Sequence, residues 1–451
     1  MPGQLPFRPS ARAKLFPPKD VRIYNDDLQL GTYTPADLFR AGERNKGIHQ
    51  VFEHCSSFSG HIRIALRGKF PISFETPIPA ELRRSAAFIR DTCPEAVTRF
   101  WGRQLGCLSK LVDQAAPFQK KWGAKIKPAI LPEAGKLKTA ALAQLCRHFG
   151  LGGQRWLCQF ANGFSINGGL SQKGVFHPSH EENPQPRTPR VELCRSADVR
   201  FRERAAKSGV KNAGPLWKEA LEQVEKGWLS PPSQLRSDGR PYSWKLKGFN
   251  IAFRFGVEQA GNLRACDDLK HALTNLARTV VTPIKPVSWG HLAQLSQLLS
   301  QGKFELGMLK ADREAAYKQL PINPADLPCA VIVRRRPTSG LRFGFPTRTL
   351  IFGDVAAVLH YNVFSRLITT VVNRVFGIPT VFYFDDFAAL VWLGLVKPAL
   401  ELFSRFCLLP GIGLKPGKSA AGVSVPFLGL PGSFPSPANG FKLKISHARK
   451  A

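Results

Sequence analysis

The chain has 451 residues, 43% of them hydrophobic, which is enough for two or three domains with a sizeable core. Lys and Arg number 64 against 32 Asp and Glu, giving a formal charge of +32 and a pI near 10.2; the excess favours nucleic acid or another anionic surface as partner, although a generically basic protein has the same balance. Nine scattered cysteines without a Cys-x-x-Cys pair argue for reduced thiols rather than a disulfide framework, no apolar run is expected to reach bilayer-spanning length, and the N-terminus lacks the apolar stretch of a secretory signal. The expectation is an intracellular protein of the nucleus or cytoplasm, neither secreted nor membrane-bound.

Residues 1–80 mix prolines, glycines and charges with weak periodicity, and only partial order is expected there. His54, Cys55 and His61 have no familiar zinc spacing. Helical patterning begins near residue 81, with helices expected over 81–89 and 139–149. Residues 101–150 hold nine basic and two acidic residues, including Lys120, Lys121, Lys125 and Lys127 around Trp122. That stretch suits either a grip on a nucleic-acid backbone or a solvated helix face. Residues 1–177 are thus a partly helical region, followed over 178–243 by a Pro-, Arg- and Ser-rich linker and a lead-in helix at 216–228.

From residue 244 onward strands and helices alternate. Strands are predicted at 253–258, with a turn at Gly261-Asn262, at 306–310 running on to Asp312, and at 331–333; residues 315–320 suit a helix or tight turn. The strongest helix is 354–376. Asp354 is its expected N-cap, Val355, Val358, Leu359, Leu367, Val371 and Val375 recur at helical spacing, Gly377 can close it at positive φ, and Pro379 stops it. Two apolar strands then flank Asp385-Asp386. This order predicts an α+β unit, a helix packed on an antiparallel sheet.

Paired carboxylates beside a hydrophobic core need positive compensation, usually a divalent cation. Asp312 ends one predicted strand and Asp385 begins the turn between two others. If these strands are neighbours, three carboxylates converge, and oxygen ligands suit two Mg²⁺ ions about 3.5–4 Å apart in phosphoryl transfer. Taken alone, an Asp-Asp turn is more often a solvated turn.

Tyr383-Phe384-Asp385-Asp386 matches the Tyr-x-Asp-Asp motif of reverse transcriptases, and Lys310 to Ile322 resembles the family's first catalytic motif, an Asp followed five positions later by an aromatic residue. Four further elements resemble family motifs in the expected order. Arg254 to Gln259, Leu263 to Asp268 and Asn275 are similar to the fingers segment of retroelement enzymes. Leu350-Ile351-Phe352-Gly353 resembles the Leu-Pro-Phe-Gly segment, with Ile351 in place of Pro. Gly413 to Ser419 resembles the Lys-bearing motif, and Phe427-Leu428-Gly429 the motif that grips the primer end. The segment Trp217 to Trp228 resembles the lead-in of some retrotransposon-like polymerases.

The resemblance implies a right-hand polymerase, with fingers over 244–305, an antiparallel palm sheet packed on helices over 306–430, and a short tail at 431–451. Asp312, Asp385 and Asp386 would be the catalytic and metal-binding residues, holding two Mg²⁺ ions, with Mn²⁺ as substitute. Arg264, Tyr317, Phe352, Gly353 and Lys418 would bind the nucleotide: Arg264 at the triphosphate, Tyr317 under the sugar, and Lys418, in competition with Lys415, at the leaving pyrophosphate. Without the resemblance, Tyr317 reads as a core tyrosine and Lys418 as an exposed lysine. Arg334-Arg335-Arg336 would touch template phosphates or lie in a solvated loop. The implied partners are an RNA or DNA template-primer and deoxynucleoside triphosphates.

The expected function is that of an RNA-directed DNA polymerase domain from a retrotransposon-like element. Past Gly429 only 22 residues follow, fewer than a thumb needs, so the expected hold on template-primer is weak. The alternative is a degenerate, catalytically silent nucleic-acid-binding protein of the same fold. A third reading, an RNA-templated RNA polymerase, shares the acidic geometry but is disfavoured by Tyr317 and the Tyr383 motif.

Overall fold

The computed structural model describes residues 21–25, 28–33, 78–124, 137–148, 159, 162–170, 190–195, 197–207, 212–237, 239, 249–259, 261–269, 271–280, 289–300, 304–415, 417–427, 430–433 and 442–444. His54, Cys55, His61, Lys125, Lys127, Leu428 and Gly429 lie outside them. Helices α1 (Ala80–Asp91), α2 (Pro94–Gly123) and α3 (Ala213–Glu225) precede the hairpin β1 (Ile251–Gln259) and β2 (Asn262–Asp267). Then come β3 (Leu306–Asp312), β4 (Val331–Arg335), β5 (Arg342–Pro346) and helix α4 (Val355–Val371). The acidic hairpin β6 (Thr380–Tyr383) and β7 (Asp386–Trp392), helix α5 (Val396–Leu408) and β8 (Ala420–Gly422) complete the centre. The class is α+β.

Two sheets position the candidate site. One runs in the order β6-β7-β3-β8, antiparallel throughout. The other places β5-β4-β1-β2 in sequence, with β1 and β4 parallel. Strand β3 is buried along nearly its whole length and β7 from Phe387 onward, which accounts for continuous apolar runs rather than alternation. A third sheet joins Val21–Asn25 and Leu28–Tyr33, within the segment expected to have only partial order, to Ser424–Phe427, Leu430–Ser433 and Lys442–Lys444.

Helix α4 carries the caps expected of it. The Asp354 side chain accepts from the Ala356 N–H at 2.7 Å, and Gly377 adopts φ 63. Regular α-helix ends at Val371, however, and a π-helical turn follows over Val372–Phe376. That turn aims Asn373 at the next strand, where its amide donates to Thr380 O at 3.1 Å and its Oδ1 accepts from Thr380 N at 2.7 Å. By length and composition Val355–Phe376 could cross a membrane, contrary to the expectation that no run is long enough; it is mostly buried inside the protein. A helix buried on nearly every side is what a central core position produces.

The N-terminal helices pack on this same core. Val97, Trp101, Leu105, Leu108 and Val112 of α2 recur at helical spacing and are buried, while Lys110, Lys120 and Lys121 face solvent. The Trp101 indole N–H donates to Phe376 O at 2.7 Å, Ser85 Oγ to Asn373 O at 2.9 Å, and Arg374 Nε to Glu81 Oε1 at 2.9 Å. Gly377 sits where these elements meet. A Cβ there would stand 2.5 Å from a Phe88 ring carbon. Gly377→Ala therefore combines positive-φ strain with a clash, and a loss of about 2 kcal/mol or more in urea unfolding is the expected outcome.

Candidate active site

Sheet register brings the acidic residues together. Asp386 pairs directly with Asp312 across β7 and β3, and the Arg313 N–H donates to Asp385 O at 3.3 Å. Tyr383 pairs with Asp386, leaving Phe384-Asp385 as a two-residue turn. Phe384 adopts φ 54, a conformation that costs a non-glycine residue about 1–2 kcal/mol. The turn is held by Ser365 of α4, whose Oγ–H donates to Phe384 O at 2.9 Å, and by the Tyr383 and Phe384 rings, with centroids 4.6 Å apart. Helix α4 thus braces the strained turn that presents Asp385.

The electrostatics follow from this crowding. Burial pushes the Asp385 carboxyl above the ordinary carboxylate range, its own backbone amide opposes the shift, Asp386 and Asp312 add to it, and Arg264 opposes it. Asp386 is likewise raised by burial and by Asp312, against Lys310, whose Nζ lies 3.0 Å from Asp386 Oδ1. Lys418 Nζ lies 3.5 Å from Asp312 Oδ2. Among the described residues no three His, Cys, Asp or Glu side chains are grouped so as to hold a metal ion as they stand. Asp312 and Asp386 meet in backbone register with Asp385 at the adjoining turn, and ammonium groups of Lys418 and Lys310 pair with the first two. Oxygen donors alone are nonetheless the donor set that suits a hard divalent cation.

The other expected residues surround this edge. The Arg264 guanidinium lies over the Phe352 ring, 4.5 Å from its centroid, and reaches Tyr317 and Asp385 electrostatically. Tyr317 packs edge-on against Phe352 and Tyr361, with centroids at 5.8 and 5.1 Å. Burial, with Asp385 and Tyr361 adding, raises its phenol above the ordinary range. Phe352 is half exposed, and Gly353 adopts φ 89. Asn275 Nδ2 donates to Gly353 O at 3.2 Å while its Oδ1 accepts from Val355 N at 3.1 Å, bracing the start of α4. The Lys415 N–H donates to Asp312 O at 2.8 Å; its backbone, rather than its ammonium, meets the site.

One residue stands differently from expectation, and two more belong at the site without having been expected there. Arg334 is buried rather than facing a template: its Nη1 donates to Arg254 O, and burial with Arg254 alongside lowers its pKa to about 10. Arg335 and Arg336 are exposed. Lys310 was absent from the expected site although strand alternation puts it on the same face as Asp312, two residues away. Arg313 was also missed. It is buried beneath the site, stacked over Phe364 at 4.0 Å and Tyr361 at 5.3 Å.

No family model matches the sequence, and no curated protein matches it. Solved structures similar to this chain include a foamy viral protease-reverse transcriptase in complex with double-stranded DNA, at 15% identity, TM-score 0.32 and 49% coverage of this chain. They also include the native prototype foamy virus protease-reverse transcriptase, at 12% identity, TM-score 0.32 and 57% coverage, and a mutant of it at 15%, 0.34 and 56%. This chain spans 34%, 28% and 28% of the length of those three chains.

Proposed function

We propose that residues 244–430 are the fingers and palm of an RNA-directed DNA polymerase of retrotransposon-like origin. The observation that carries the reading is the pairing of Asp312 with Asp386 on neighbouring strands, with Asp385 at the adjoining turn. Chemistry would be attack of a primer 3′-hydroxyl on the α-phosphorus of a deoxynucleoside triphosphate, breaking the bond to the bridging oxygen and releasing pyrophosphate. Bound Mg²⁺, held by Asp312, Asp385 and Asp386, would supply Lewis-acid stabilisation of the attacking and leaving oxygens. Arg264, stiffened by Phe352, is set to receive triphosphate oxygens bidentately. Tyr317, wedged between Phe352 and Tyr361, forms a rigid floor where a sugar would lie and disfavours a 2′-hydroxyl. Lys418 is exposed enough to leave Asp312 for the departing pyrophosphate.

Mg²⁺-dependent extension of a DNA primer on RNA and DNA templates tests the reading, and preference for deoxy- over ribonucleotides separates it from an RNA polymerase. Absence of extension on every template overturns it.

The neutralisation of Asp386 and Asp312 by lysines favours a second reading, a nucleic-acid-binding protein without catalysis. It expects RNA or DNA affinity to fall steeply with salt, by about a hundredfold or more between 50 and 200 mM, in a filter-binding assay with no nucleotide incorporation. Salt-independent binding removes it.

A further inference from the structure

Lys310 has no part in the polymerase reading above, yet it makes the most enclosed ion pair of the acidic edge. Lys310 and Asp312 point to the same face of β3 because strand side chains alternate. Register sets Lys310 opposite Ala388 on one side and Ala420 on the other. Two small neighbours leave the lysine stem room to reach Asp386, two pairs further along the ladder and so on the same face. Its ammonium stands 3.0 Å from Asp386 Oδ1, with the lysine side chain 19% and the aspartate 24% exposed. Lys418, the second cation at this edge, is 56% exposed and 3.5 Å from its aspartate. Exposed pairs of that kind contribute little, whereas a pair screened from water cannot be replaced by solvent.

We infer that Lys310 is a built-in counter-ion of the acidic turn: a positioning residue that holds Asp386 in place when no divalent cation is bound, and that competes with the cation for that carboxylate. The inference rests on the polymerase reading, which assigns Asp386 to a cation. It goes further in making this chain's cation affinity a property of a lysine on the neighbouring strand. With three carboxylates at one sheet edge, loss of the ammonium leaves the empty site more repulsive and the occupied site more attractive. Charge removal at Lys310 therefore moves stability and cation binding in opposite directions.

The test uses the full chain and Mn²⁺, with free Mn²⁺ followed by electron paramagnetic resonance, and thermal melting in EDTA and in MgCl₂. Lys310→Met is expected to bind Mn²⁺ about tenfold more tightly than the parent chain. It should also melt lower in EDTA and recover most of that loss in MgCl₂. Lys310→Arg should keep the parent's affinity and melting behaviour, and Lys418→Met should change affinity by less than about threefold. Should Lys310→Met be unfolded in EDTA, refolding on addition of MgCl₂ supports the inference, and failure to refold with Lys310→Gln behaving alike overturns it. Mn²⁺ bound by the parent chain and lost in Asp385→Asn, but no tighter in Lys310→Met, overturns the counter-ion role and leaves the polymerase reading standing. Absence of Mn²⁺ binding in the parent chain and in Lys310→Met overturns both.

Discussion

Asp385→Asn is expected to lower primer extension by at least about a thousandfold, equivalent to ~4 kcal/mol of transition-state stabilisation, while raising the melting temperature. The two effects share one cause. Asp385 sits at the tip of a strained turn where burial, followed by the nearby charges of Asp386 and Asp312, pushes its carboxyl above the ordinary range despite its own amide and Arg264. A carboxyl whose folded pKa is raised binds its proton more tightly in the folded state. Its ionisation therefore costs stability, starting as pH rises from the ordinary value of 3.8 and complete once pH has passed the raised folded value. Above that raised value the chain carries the whole penalty. Asparagine fits the same turn without the charge, so the variant should melt higher and lose the part of the acid-side stability slope due to this group. A merely structural turn predicts the reverse, with retained extension and no gain in melting temperature. Activity and stability measured on one preparation separate the cases, because unfolding cannot explain a loss of activity in a protein that has become more stable.

Much of the frame around this turn was legible in the sequence because its signals are local. The Asp354 cap, Gly377 at positive φ, the long apolar helix and the Asp-Asp hairpin each follow from residue type and spacing within a few positions. What the sequence hid depends on contacts between distant segments. Strand β5 reads Arg342-Phe343-Gly344-Phe345-Pro346, too short and too rich in Gly and Pro to announce a strand, and exists because β4 pairs along its full length. The π-turn at Val372–Phe376 serves an amide bridge to Thr380 that helical periodicity does not encode. Arg334 sits in an arginine run that reads as solvated, but its strand crosses the core beside Arg254. Lys310 was the avoidable omission. Its two-residue spacing from Asp312 on a strand was enough to place it on the acidic face.

Asp267→Ala is expected to destabilise the protein by about 3–5 kcal/mol, the cost of stranding a buried charge. Arg254 and Asp267 face each other across the β1–β2 hairpin, joined by hydrogen bonds of 2.7 and 3.1 Å, with side chains only 3% and 5% exposed. Arg254 Nη1 also donates to Gln223 of α3 at 3.0 Å, so the pair ties the hairpin to the preceding helix. Burial opposes the charge on Arg254, but attraction and hydrogen bonding from Asp267, helped by Glu219 and Cys266, outweigh it and lift its pKa above the ordinary value. Arg334 lies against the same group, and Asp267 supports its charge too. Removing Asp267 leaves two adjacent buried guanidiniums without their shared carboxylate. Hydrogen exchange should show the loss concentrated in the hairpin, and extension should weaken because Arg264 is carried by the same strand three residues from Asp267. The joint replacement Arg254→Met with Asp267→Leu removes both charges and should return stability to within about 1.5 kcal/mol of the parent chain. As a surface comparison, Asp91→Ala breaks an exposed pair with Arg90 and should cost under about 1 kcal/mol. If Asp267→Ala costs no more than Asp91→Ala, the pair does not hold the hairpin. Arg264 would then owe its place over Phe352 to the turn at Gly261 and the Phe352 contact alone.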